Sequence, residues 1–124
     1  MATFEKLEVW RRSKDLAVRI CRTMRESRDF GFRDQITRAA VSVPSNIAEG
    51  VERNSKAEFR NFLGIAKGSA GELRTQITIA RELEYFSVQE ADEMMGESVE
   101  ISRMIHGLIR SLKKPEASQA GAGK

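Results

Sequence analysis

Residues 38–50 read Arg38-Ala-Ala-Val-Ser-Val-Pro-Ser-Asn-Ile-Ala-Glu-Gly50, and this stretch decides the architecture. Ile36, Ala40, Val43, Ile47 and Val51 step by 4, 3, 4 and 4 residues, the period of one helix face. Pro44 falls inside the run. It has no N–H for the carbonyl of Ala40, and its ring crowds the preceding turn. The apolar step stays in phase beyond Pro44, so the spacing predicts one kinked helix over about residues 33–53. Ser42 or Ser45 is expected to help satisfy the freed carbonyls. Small residues, an amide and a carboxylate beside the apolar line suit a helix packed on more than one side.

Three further helices follow from caps and period. Upstream, Leu7, Trp10, Ala17, Cys21 and Met24, widened by Leu16 and Ile20, predict a helix over about residues 4–27. Lys14 interrupts that seam, and its methylenes are expected along the core edge. Asp29-Phe30-Gly31 breaks the pattern and supplies a turn. Downstream, Ser55-Lys-Ala-Glu58 is a capping box that opens a third helix. Its seam of Phe59, Leu63, Ala66, Ala70, Leu73, Ile77 and Ala80 carries it to about Tyr85. A second box, Ser87-Val-Gln-Glu90, opens a fourth helix through Ala91, Met94, Met95, Val99, Ile105, Leu108 and Leu112, ending before Pro115. No stretch alternates as a strand would. The fold class expected is all-α: an antiparallel up-down-up-down four-helix bundle over residues 1–114, with a disordered Ala/Gly/Ser tail at 115–124.

The third helix carries a second stripe. Gly64, Gly68, Gly71, Thr75 and Thr78 are spaced 4, 3, 4 and 3, on a line about 100° around from the apolar seam. Each glycine costs about 1 kcal/mol against alanine in a helix interior. Such a smooth face lets a backbone approach closely, so this helix is expected to be covered on two sides, by its own bundle or by another subunit.

The bulk composition narrows the classes. With 124 residues, 40% hydrophobic and 31% charged, the chain is one domain able to bury a core without staples. No apolar run approaches the roughly 20 residues that span a bilayer, and no signal-peptide core opens the chain. The lone Cys21 fits a reducing, cytoplasmic setting. Net charge is only +3 but uneven. Residues 1–33 hold nine Lys/Arg against five Asp/Glu, whereas residues 85–114 hold four against five.

That imbalance selects the candidate site. Arg11, Arg12, Arg19, Arg22, Arg25 and Arg28 lie on the first helix. Arg12, Arg19 and Arg22, or Arg11, Arg22 and Arg25, share a face. A row of guanidiniums attracts phosphates in a salt-dependent way, unless acids of a neighbouring helix neutralise it. Trp10, Phe59 and Phe62 sit on apolar seams and read as core, so contact is expected with nucleic-acid backbone rather than bases. Asn46, Glu49 and Glu72 lie on or beside packed faces, with Arg38 or Arg74 as counter-charge, and read as a register-fixing polar network. No nucleophile sits with a base, so no enzyme is expected. A di-metal bundle needs Glu-x-x-His, and residue 103 before His106 is Arg. Cys21 reads as a small core residue, and no glycine loop cradles a phosphate. No cofactor or metal is expected.

The pattern Arg38-Ala39-Ala40-x-Ser42-x-Pro44-x-Asn46-Ile47-Ala48-Glu49-Gly50, followed by Glu58-Phe59-x-x-Phe62-Leu63-x-x-Ala66-x-Gly68-Ser69-x-x-Glu72-Leu73 and preceded by Phe4-Glu-Lys-Leu7-Glu-Val-Trp10, resembles the 23S rRNA intervening-sequence proteins over residues 4 to about 112. The resemblance implies an antiparallel four-helix bundle assembled as a ring-like homopentamer. A similar branch is the accessory variability determinant of diversity-generating retroelements, where a basic pentameric barrel binds nucleic acid and a reverse transcriptase. The expectation is therefore a non-enzymatic oligomeric accessory protein that binds RNA or DNA backbone through its basic first helix and partners a reverse transcriptase. The alternative is a protein-interaction scaffold without nucleic-acid binding.

Overall fold

A computed structural model describes residues 3–113. A 3-10 turn at Phe4–Lys6 precedes four α-helices: α1 (Glu8–Thr23), α2 (Phe30–Val51), α3 (Lys56–Glu82) and α4 (Val88–Lys113). The described residues contain no strand, and no helix among them is long and apolar enough to cross a membrane. The tail expected over 115–124 lies outside the described residues.

α2 runs unbroken through Pro44. The expectation for its serines is corrected. The Ser42 hydroxyl lies 2.8 Å from that of Ser69 on α3 and accepts from Asn46 Nδ2 at 2.9 Å, while Ser45 is exposed. Ser42 thus bridges two helices instead of patching the turn.

Helix ends depart from expectation where a cap outweighs the apolar period. Leu7 is extended (φ −80, ψ 125) and its N–H closes the turn on Phe4 O. The first helix therefore starts at Glu8 and stops at Thr23. Asp29 is no mere turn residue. Its Oδ1 accepts from Phe32 N at 3.2 Å, so α2 begins at Phe30 rather than Arg33. Both serine caps form: Ser55 Oγ accepts from Glu58 N. Ser87 Oγ accepts from Glu90 N while Glu90 Oε1 accepts from Ser87 N, closing the full box.

The core line of α1 is Val9, Ser13, Leu16, Ala17, Ile20 and Met24. Trp10 and Cys21, expected inside, are half-buried at its edge. On α4 the line runs Ala91, Met94, Ser98, Ile101 and Ile105, leaving Val99 39% exposed. Two polar residues cause this rotation. Ser13 and Ser98 are buried because their hydroxyls donate to the backbone carbonyls of Trp10 and Ala70. A serine bonded this way leaves no unsatisfied group to oppose burial. The seams expected for α2 and α3 are buried, apart from half-buried Val51 and Phe59.

α3 ends in a Schellman closure. Tyr85 N donates to Ala80 O and Glu84 N to Arg81 O, with Glu84 left-handed at φ 65. Glycine is the residue that adopts this conformation without Cβ strain. Glu84→Gly is therefore expected to raise stability by about 1 kcal/mol, read as a higher urea midpoint with unchanged slope. The closure aims the Tyr85 hydroxyl at Asp29 Oδ2, 2.6 Å away, and its ring stacks tilted on Phe32. That hydrogen bond raises the Tyr85 pKa, and with the Phe32 amide it lowers that of Asp29.

The stripe Gly64, Gly68, Thr75 and Thr78 is exposed, and a Cβ added at Gly64 or Gly68 would meet nothing within 4 Å. Among the described residues no helix covers that stripe.

Candidate nucleic-acid interface

α1 packs between α2 and α4, and its rotation sorts the six arginines. Seven residues advance a helix by nearly two whole turns, so Arg12 and Arg19 share one face. That face meets α4. Arg12 Nε and Nη2 both donate to the Glu97 carboxylate at 2.8 Å, a bidentate pair. Arg19 Nη2 lies 2.6 Å from Glu93 Oε1. The hydrogen bond with Glu97 raises the Arg12 pKa and lowers that of Glu97. Glu93 is lowered by its bonds from Arg19 and then Gln89. The acids of α4 thus neutralise this half of the basic helix.

The other face turns toward α2. Arg22 and Arg25 are exposed three residues apart and Arg28 lies exposed in the loop that follows α1. None of the three side chains has an acidic partner among the described residues. Arg38, opposite on α2, is exposed as well and flanks a shallow depression beside Cys21 and Val41. Arg11 instead folds back onto the Glu5 carbonyl at 2.9 Å. The grouping Arg12–Arg19–Arg22 is thereby split, and the free positive charge gathers at the end of α1 near the α1–α2 loop.

Between α1 and α2 lies an open groove of about 630 Å³. Trp10 lines it, so the aromatic ring expected in the core is only half-buried, at the groove wall. The core assignment of Cys21 is corrected in the same way: it is half-buried and lines the groove. Lys14 does not lie along the core. It is held by Asp15 at 2.8 Å and sits 5.9 Å over the Trp10 ring.

The polar network expected from Asn46, Glu49, Glu72, Arg38 and Arg74 takes another form. Asn46 joins Ser42 and Ser69. Glu49 pairs with Arg53 one turn on, at 2.8 Å. Arg74 donates to Ser102 across to α4. Glu72 is exposed. Hydroxyls and an amide thus set the α2–α3 register, and buried charge is avoided. His106 is exposed and meets Lys67 Nζ at 3.1 Å. Among the described residues no three of His, Cys, Asp and Glu gather as metal ligands.

A family model described as 23S rRNA-intervening sequence protein matches residues 5–107. Among solved structures, the chain is similar to a protein of unknown function from the S23 ribosomal protein family of Bacteroides thetaiotaomicron. The two share 28% identity and a TM-score of 0.76, over 82% of this chain and 97% of that one. No curated protein matches it.

Proposed function

Because the chain belongs to the family of 23S rRNA-intervening sequence proteins, we propose that it is a cytoplasmic, non-enzymatic, homo-oligomeric accessory protein that binds nucleic-acid phosphates through Arg22, Arg25 and Arg28. One observation carries the reading: these three guanidiniums are exposed and uncompensated, whereas Arg12 and Arg19 are spent on Glu97 and Glu93. Arginine presents a planar fork that suits phosphate oxygens, and contacts of this kind position a duplex without reading its sequence.

We read the helices as an up-down-up-down bundle. Cross-helix partners run in opposite senses, Arg12 with Glu97 and Arg19 with Glu93, Lys67 with His106 and Arg74 with Ser102. Support for self-association is the outer face of α3, where Gly64 and Gly68 lie beside Ile65 at 45% and Ile79 at 43% exposure. The exposed Ile65 and Ile79 favour the second reading, a scaffold whose partner is a protein such as a reverse transcriptase. Capture of that partner would survive moderate salt.

Titration of labelled structured RNA and duplex DNA against rising KCl separates the two. On the first reading, log K falls linearly with log salt at a slope near −0.9 for each phosphate engaged on duplex DNA, roughly −2.7 for three arginines of one protomer. Indifference to both polymers at low salt removes the nucleic-acid reading. Native mass spectrometry of the full chain gives the subunit number, a pentamer by resemblance.

A further inference from the structure

The α1–α2 groove joins two chemistries that the phosphate-binding role does not require together. Its floor is apolar, built from Ala17, Val18, Val41, Pro44 and Ala48. Val18 and Val41 remain 39% and 45% exposed there. Its volume of about 630 Å³ lies inside the ordinary range for small-molecule sites, roughly 300–1,000 Å³. No acidic residue lines it, and its charged lining residues are Lys14, Arg22 and Arg25. Lys14 is already held by Asp15. Arg22 and Arg25 are not held: Arg22 lies in the last turn of α1, Arg25 lies in the turn that follows, its N–H donating to the Arg22 carbonyl at 3.2 Å, and both line the groove. Twelve residues separate Arg22 from Trp10, about 18 Å along the helix axis at 1.5 Å per residue. The groove therefore has two free guanidiniums at one end and an aromatic wall at the other.

We infer that this groove binds a free single-chain organic anion, its carboxylate or phosphate head between Arg22 and Arg25 and its apolar body along Val18 and Val41 toward Trp10. Charge complementarity selects the ligand. A neutral apolar molecule would leave two guanidiniums at the mouth unpaired, and a cation would be repelled. An inorganic phosphate would leave the apolar floor in water, and burying that floor is what favours a chain over a bare ion. The site goes beyond nucleic-acid binding, and an occupant would occupy two of the three arginines assigned to phosphates.

The chain carries its own reporters, since Trp10 is its only tryptophan and Cys21 its only cysteine, and both line the groove. Decanoate, decanol and decyltrimethylammonium share one body and differ in head charge. Added to the full chain below micelle formation, without nucleic acid, decanoate is expected to change Trp10 emission saturably and to slow alkylation of Cys21 by iodoacetamide. Decanol should bind at least about tenfold more weakly, the loss of one charge-assisted contact, and decyltrimethylammonium should have no saturable effect. Arg22→Gln with Arg25→Gln should reduce decanoate to the decanol level while circular dichroism stays unchanged. Val18→Asn with Val41→Asn should weaken decanoate about tenfold and leave the salt slope for duplex DNA unchanged, so that the two site readings fail separately. Equal response to all three heads, or none to decanoate, overturns the proposal. Protection of Cys21 by anionic phosphatidylglycerol vesicles but not by decanoate would overturn it in favour of a membrane surface.

Discussion

Reversing Arg22, Arg25 and Arg28 to glutamate together is expected to lower affinity for duplex DNA by roughly two to three orders of magnitude near 0.1 M salt. Each released counterion is worth close to one decade in the binding constant at that concentration. Folding stability should stay within about 0.5 kcal/mol, the usual range for surface positions, because none of the three side chains has a partner to lose among the described residues. Reversing Arg12 and Arg19 should give the opposite pattern. Glu97 would then face an acid where it now accepts two hydrogen bonds at 2.8 Å. Both members of that pair are one-third exposed, which holds the cost to about 1–2 kcal/mol after screening. DNA affinity should fall far less than in the triple variant, since on this reading those two side chains make no phosphate contact and act on DNA only through screened long-range charge. Anisotropy titrations and urea unfolding on the two variants form a crossed comparison. A triple reversal that binds like the parent chain would end the assignment, as would loss of binding that follows Arg12 and Arg19 instead.

The sequence showed that α1 was basic but not which of its arginines were free. That distinction depends on how far α1 is rotated about its own axis, and the rotation turns on Ser13. Read for apolar period, a serine counts against the core face, and the period runs the seam through Trp10 and Cys21. In the structure Ser13 is 2% exposed with its hydroxyl on the Trp10 carbonyl. The core line shifts to Val9, Ser13, Leu16 and Ile20, and Trp10 and Cys21 turn out to the groove. Ser98 does the same on α4 and leaves Val99 toward solvent. On α2 and α3 the expected seam is aliphatic and alanine apart from Phe59, and the period alone was sufficient, although Pro44, Gly50 and Gln76 are buried beside it. Both serine-led caps were legible from a few residues, because a cap is a local hydrogen bond. Asp29 was not, since Phe30 and Gly31 behind it look like turn residues, and its second role needs Tyr85, 56 positions away. The groove was invisible for a similar reason: it exists only where Val18 of α1 and Val41 of α2 are brought together.

The glycines allow a second large effect to be argued, with opposite signs at positions of identical chemistry. At Gly50 an added methyl would lie 2.9 Å from Phe59 Cδ1, 3.0 Å from Phe62 Cβ and 3.3 Å from the Phe59 carbonyl oxygen. The ring of Phe59 can tilt away, but Phe62 Cβ and the carbonyl belong to the first turns of α3. Relief therefore requires the end of α2 and the start of α3 to separate. Overpacking of this kind costs about 1–3 kcal/mol, against roughly 1 kcal/mol regained from alanine's better helix propensity. Gly50→Ala should consequently destabilise by about 1–2 kcal/mol and lower the melting temperature by roughly 5 °C. At Gly64 and Gly68 the added methyl meets nothing within 4 Å. Alanine there should stabilise the isolated protomer by up to about 1 kcal/mol at each position. If copies of the chain associate through this stripe, the same two methyls push their backbones apart. The double variant should then melt higher as a protomer yet run smaller by native mass spectrometry at matched concentration. A neutral Gly50→Ala would refute the tight α2–α3 contact. A Gly64→Ala, Gly68→Ala protein of unchanged assembly size would place the stripe outside any subunit contact, and the oligomeric part of the proposed function would have to rest on another face.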